Sequence, residues 1–286
     1  PEDVYFSPSL KLLKPEGMKP SEFKLYLLKC LYNNYPKLSH YQQMCDDLNQ
    51  KYYIYKPEFR LRFEQSFEWS KKNGRTYVVG IGIRCSNSLC NKKTAERERL
   101  LKEYYHFDYW KDVRSSVPRI TLSLNLGHWV DESIDIYELI HNEFEPDEPF
   151  DKNRELIKDF HMRAYFTDSV DDLKKNIWFY MDQTGLNYED MHNTIERFKN
   201  ALLKAEGGRT YGSEVFYVES CVYLDVLKLL LDTYHDTWLL YDAFYSDGAG
   251  GPDTEIVGWQ TYEEFVSAWI KIYFEKFIVD FVPHTK

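Results

Sequence analysis

The sequence is poor in the residues that mark fibrous, disulfide-stapled and membrane-spanning proteins. Its 13 glycines and 11 prolines in 286 residues are too few for collagen or a low-complexity chain. Its five cysteines, Cys30, Cys45, Cys85, Cys90 and Cys221, are odd in number and widely scattered. They do not make a disulfide framework, which points to a reducing compartment inside the cell, cytoplasmic or nuclear. No apolar run approaches the roughly 20 residues of a membrane-spanning helix; the runs at 78–83 and 229–231 are short or broken by Gly and Asp. Residues Pro1–Phe6 lack the basic start and apolar middle of a signal peptide, and a start at proline suggests a trimmed chain.

Positive charge is also short. The 36 Lys and Arg against 46 Asp and Glu leave a net charge of −10, which disfavours a phosphate backbone as partner and favours a basic protein. The richest basic stretch, 91–99, interleaves its Lys and Arg with Glu96 and Glu98, as a solvated helix does. What the chain does have is bulk: 43% hydrophobic and 17% aromatic residues, with 24 Tyr, 18 Phe and 7 Trp. That is enough apolar surface for a large core without staples.

Periodicity predicts an α+β fold: an antiparallel sheet with a long hairpin near 59–84, packed by helices, and a C-terminal half that is mostly helical. Residues 1–20 carry four prolines and no period, and read as an extended arm. Ser21 and Ser39 each open a helix. From 51 the period changes to two, and Asn73-Gly74 between apolar-alternating segments is a strong hairpin signal. A helix is expected over 94–106, a strand over 119–126, and a short helix over 133–142. Three helices then follow at 153–166, 169–183 and 188–205. A strand at 214–218, a helix at 224–234, a strand at 238–245 and a closing helix at 262–281 complete the order. The domain expectation is an N-terminal α+β region over 21–145 and a helix-rich region over 152–286, either separate or continuous.

Between those regions, Glu143, Glu145, Asp147, Glu148 and Asp151 crowd together with Pro146 and Pro149. The cluster is either a solvated linker or a docking strip for a basic partner. Cys85 and Cys90, with His106 or His128, hold too few ligands at no characteristic spacing for tetrahedral zinc. Asp247, Asp253 and Glu255, in a glycine-rich loop, have the oxygen ligands of a cation site without the order of a calcium loop. No Gly-x-Ser-x-Gly, His-Glu-x-x-His or phosphate-loop motif occurs. No cofactor is expected. Cys221 sits in an apolar helical pattern, as a buried thiol does.

Two Arg-x6-His spacings, Arg99 to His106 and Arg154 to His161, place both side chains on nearly one helical face. The spacing resembles the Arg-x(4–6)-His element of the HEPN ribonucleases, which are helical. That resemblance implies an Arg and a His acting together on a scissile RNA phosphate. Leu100 and Glu155 stand where the family usually has Asn, Asp or His. A second likeness lies in Trp238-Leu239-Leu240-Tyr241-Asp242 followed by Trp259-Gln260-Thr261-Tyr262-Glu263-Glu264-Phe265. This segment resembles the closing part of the SUKH-like fold of toxin-immunity proteins, which implies an acidic intracellular binding protein.

The aromatic stretches 104–110 and 238–245 are flanked by acids, a combination that suits a protein surface better than a base-stacking platform, although an aromatic core accounts for it too. The leading expectation is a non-enzymatic intracellular binding or regulatory subunit that engages a basic partner protein. A hydrolase or ribonuclease using an Arg/His pair or metal-bound carboxylates is the alternative. A structural component of a larger assembly, a viral one included, is the third.

Overall fold

Short strands and long helices segregate along the chain in the computed structural model. It describes residues 10–13, 15–19, 21–51 apart from 24, 27, 28, 30–32, 34 and 36, then 58–61, 78–81, 83–86, 88–167, 170–176, 188–212, 214–234, 236–247 and 261–281. The fold is α+β with a mostly helical C-terminal half, as the periodicity predicts. The chain divides into two compact units: residues 1–113 with 216–286, and residues 114–215. The acidic segment 143–151 therefore lies inside the second unit.

In the first unit, β1 (Leu10–Leu13) runs antiparallel to β3 (Val78–Ile81), and β2 (Glu58–Leu61) antiparallel to β4 (Ile83–Ser86). The β2–β4 pairing is the antiparallel return expected near 59–84; the Asn73-Gly74 turn lies outside the described residues. Part of the expected arm is extended, and residues 10–13 use that extension to pair with β3.

Besides these two two-stranded sheets, a three-stranded sheet has the order β5-β7-β6, all antiparallel, formed by Tyr109–Asp112, Ala243–Ser246 and Thr237–Leu240. Here the expected single strand 238–245 is corrected to a hairpin with Tyr241-Asp242 at its turn. Tyr241 has φ 56°, and its hydroxyl donates to the Cys90 carbonyl at 2.8 Å. That anchor helps hold a non-glycine residue in a sparsely populated conformation.

Among the described residues of this unit the longer helices are α1 (Leu38–Lys51), nearly all of α8 (Glu214–Thr233) and α9 (Tyr262–Ile278). The Thr261 hydroxyl caps α9 by accepting from the Glu264 N–H at 3.1 Å. The expected strand at 214–218 is instead the first turn of α8. Val215, Tyr217 and Val218 are all buried, so the run is apolar without alternation, and burial rather than strand propensity decides its form.

The second unit is helical: α3 (Ser116–Leu126), α4 (Ile136–Phe144), α5 (Phe150–Tyr165), α6 (Val170–Asn176) and α7 (Tyr188–Ala205). Its core stacks Phe160 on Phe198 at 4.0 Å between ring centres, with Phe144 edge-on to Phe198 at 5.2 Å. The strand expected at 119–126 is corrected to α3. Residues 116–123 are all buried, so the alternation of apolar and polar residues does not sort an inner from an outer face. Pro118 falls in the first turn, where no intrahelical N–H is required, and Gly127 ends the helix at φ 76°.

Arg119 makes α3 possible in this burial. Its guanidinium is fully enclosed and donates to four backbone carbonyls: Arg114 at 2.8 Å, Val130 at 3.1 Å, Asp131 at 2.5 Å and Ile134 at 2.6 Å. One planar fork thereby fixes the whole loop after the helix.

Candidate functional site

The two aromatic stretches singled out by sequence meet in the β5-β7-β6 sheet. Register places Trp110, Tyr245 and Trp238 in one row across the three strands, hence on one face. Phe244, on the opposite face, packs edge-on to Tyr223 of α8 at 5.4 Å, and Tyr109 meets Tyr262 of α9 at 6.1 Å. That side is the helix-covered core. The other side is covered by the segment before β5: Leu89, Leu101 and Phe107 form a core with Trp238 and Leu240. Tyr105 lies over Trp238 at 4.6 Å.

The cover stops before it reaches β5. Trp238 is buried, Tyr245 is half-buried, and Trp110 is 54% exposed. Tyr104 and Tyr109, at 64% and 50%, add to the same exposed stretch of sequence. Its backbone is irregular. The helix Thr94–Arg99, α2, widens over Leu100–Tyr104, where Tyr105 N–H reaches the Leu100 carbonyl at 3.0 Å, and His106 then takes φ 55°. Such widened turns recur at functional sites.

Charges of both signs lie along these segments, Arg97 and Lys111 among them. Burial is the chief reason that the Tyr245 hydroxyl titrates above the ordinary tyrosine range; Asp112, Asp242 and Glu98 push it further up, and Arg97 opposes them. Asp112, exposed two residues along the strand from Trp110 and on the same face, can join the half-exposed indole in holding a cationic side chain by cation–π attraction and ion pairing.

The other sequence candidates fall elsewhere. Arg99 pairs with Glu103 at 3.9 Å, and His106 is exposed beyond the helix end. Arg154 and His161 do share a face of α5, and both touch Tyr137, with the Arg154 guanidinium 5.7 Å and the His161 ring 5.5 Å from its centre. Their partners differ, however. Arg154 donates to Asp135 at 2.9 Å, and Asp135 also takes Arg114 at 2.7 Å and caps α4 by accepting from Tyr137 N–H. Burial works against the charge on Asp135, yet hydrogen bonding and attraction from Arg154, with Arg114 and the Tyr137 amide, hold its carboxyl below the usual range.

His161 is fully enclosed. Its Nε2 lies 2.6 Å from Glu206 Oε1, a residue as buried as itself. Burial pushes the Glu206 carboxyl up, and His161 pulls it back. The pair is seated among Tyr137, Tyr165 and the end of α7, where Asn125 donates to the Glu206 and Arg209 carbonyls at 2.5 and 2.8 Å. Gly207 is required there. At φ 87°, a Cβ would lie 2.8 Å from the Asn125 Cβ.

The acidic segment forms the turn between α4 and α5. Asp147, Glu148 and Asp151 are exposed, Glu145 is half-buried, and exposed Glu143 pairs with Lys204 at 2.5 Å. Asp247 is half-buried and accepts from the Asp236 N–H at 3.3 Å; Asp253 and Glu255 lie outside the described residues. Cys90 follows β4, which holds Cys85, and His128 stays by its own loop, 3.2 Å from the Trp129 carbonyl. Among the described residues, no group of three His, Cys, Asp or Glu is placed to hold a metal ion. Cys221 is enclosed, and burial pushes its thiol well up, so it is held as an unreactive thiol.

No described helix is long and apolar enough to cross a membrane. Compared with protein-family models, curated proteins and solved structures, the chain has no significant match.

Proposed function

We propose that this chain is a non-enzymatic protein-binding or regulatory subunit, working in the cytoplasm or nucleus, whose acidic aromatic surface engages a basic partner protein. The observation that carries this is Trp110, half exposed on an edge strand among the described residues of the β5-β7-β6 sheet, with Asp112 exposed two residues along on the same face. Tryptophan supplies large rigid area with little entropy to lose, and such residues dominate binding energy at protein interfaces. The acidic turn of the second unit, Glu143 to Asp151, is a second negative surface for the same kind of partner.

The test is retention of a basic protein by the immobilised chain, washed at low and high salt, against two variants. Trp110→Ala should weaken retention by about 2–4 kcal/mol, while its melting temperature stays near that of the parent because the indole is largely exposed. Charge reversal at Glu143, Glu145, Asp147, Glu148 and Asp151 should lower the salt dependence if that turn also docks. Partner binding unchanged in both variants, or retention of nucleic acid in place of protein, refutes the proposal.

A further inference from the structure

We infer that the partner docks as an extended strand on the outer edge of β5, antiparallel to it, with an arginine or lysine directly opposite Trp110. This rests on the protein-binding proposal and adds the mode of docking to it. The register is the starting point. Trp110 faces Tyr245, Asp112 faces Ala243, and one step further the Val113 N–H donates to the Asp242 carbonyl at 2.9 Å. In an antiparallel ladder, pairs that exchange hydrogen bonds alternate with pairs that do not. If residues 113 and 242 form a bonded pair, then 111 with 244 and 109 with 246 are bonded, and the N–H and C=O of Trp110 turn away from β7.

The other side of the central strand agrees. The Asp247 N–H donates to the Asp236 carbonyl at 3.3 Å, so 245 and 243 bond to β6 while 246 and 244 bond to β5. With the order β5-β7-β6, β5 is the edge among the described residues. Its outward backbone groups are therefore those of Trp110 and Asp112, and the first of these is the residue whose indole is half exposed.

The chemistry of the occupant follows. A residue opposite Trp110 in a bonded antiparallel pair directs its own N–H and C=O at β5 and its side chain to the indole's face of the sheet. There it meets Trp110 and Tyr245, with the exposed Asp112 two residues along β5 on the same face. That setting selects a cation. Main-chain pairing of this kind supplies affinity, and the alternate side chains supply specificity.

The experiment uses the full chain and a short capped peptide of alternating arginine and valine, in three forms: unmodified, N-methylated on the arginines, and N-methylated on the valines. Arginine methylation removes the N–H groups aimed at β5, whereas valine methylation touches only the outer edge of the added strand. The unmodified and valine-methylated peptides are expected to bind and to slow hydrogen exchange at the Trp110 amide by about tenfold or more, and arginine methylation should weaken binding by at least about tenfold.

If all three forms bind alike and Trp110→Ala still weakens them, the face binds cations through side chains only. Strand pairing is then overturned and the protein-binding proposal stands. If none binds, or Trp110→Ala changes nothing, both fail. A Trp110 amide already protected from exchange in the free chain would show that the edge is occupied by this chain itself, and that also overturns the inference.

Discussion

Replacing Arg119 by methionine is the sharpest test of how the second unit is held together. Methionine keeps most of the buried stem volume, so little of the effect comes from a cavity. What is lost is the donor side of four hydrogen bonds, to the carbonyls of Arg114, Val130, Asp131 and Ile134. A buried acceptor left without a donor costs about 1–3 kcal/mol. Only the contact with Val130 is wholly buried, and the other three carbonyls lie nearer the surface, where water replaces part of what is lost. The expected loss is therefore about 3–5 kcal/mol rather than the full sum of four such penalties. Arg119→Lys should recover only a small part, because an ammonium is a point donor and cannot span carbonyls that the planar fork reaches together. Urea unfolding gives the free energy. Hydrogen exchange over 128–135 localises it, with the Val130 amide, which donates to Ser123 Oγ at 3.0 Å, as the reporter. A loss under about 1 kcal/mol for the methionine variant, with exchange of that loop unchanged, would refute the role assigned to this guanidinium.

Two titrating carboxylates in the same unit should behave oppositely. Burial raises the Glu206 carboxyl, so the folded chain keeps that proton to higher pH than the unfolded chain does, and the contribution to stability falls as pH rises from the ordinary carboxylate range through the raised value. Glu206→Gln removes that slope, read as urea midpoints across the pH series; a slope that survives the substitution refutes the assignment. Asp135 is held low, so its contribution is present above the ordinary carboxylate range and is lost as pH falls through its lower folded value. Asp135→Asn keeps a capping oxygen for α4 and should cost about 1–3 kcal/mol near neutral pH, through Arg114 and Arg154 left facing a neutral amide, and nothing in strong acid; an equal cost at every pH would refute the part assigned to the two guanidinium groups.

Sequence conveys element type well where burial is one-sided and poorly where it is not. The helix α7 was legible because its apolar residues Met191, Ile195, Phe198 and Leu202 recur at helical spacing and are the buried ones. The helix α3 was not, since all of 116–123 is enclosed and the alternation of Ile120, Leu122 and Leu124 with polar residues mimics a strand. The β6–β7 turn was hidden for a different reason. Its turn is Tyr241-Asp242, without the glycine or asparagine that announces such turns, and a tyrosine hydroxyl bond compensates.

The same holds for the candidate sites. Seven-residue spacing does bring Arg154 and His161 to one face, but spacing says nothing about Glu206, forty-five positions further on, which claims the histidine. Aromatic content pointed to stretches 104–110 and 238–245 separately. Only register shows that Trp110 and Trp238 flank the same Tyr245.

An indole left uncovered on an edge strand is a hazard as well as an opportunity, because a free edge with apolar side chains invites pairing with another copy. Here the exposed stretch carries Asp108 and Asp112 on either side of Tyr109 and Trp110, and the chain as a whole carries −10. Two copies pairing antiparallel about Trp110 would set Asp112 of each opposite Asp108 of the other, and like charges brought together in a desolvated contact cost energy. A strand that presents a cation at the same place is attracted by those carboxylates. On the docking mode we propose, the acids beside Trp110 would act in both directions: they would oppose self-association at the edge and favour a basic partner over an acidic or neutral one.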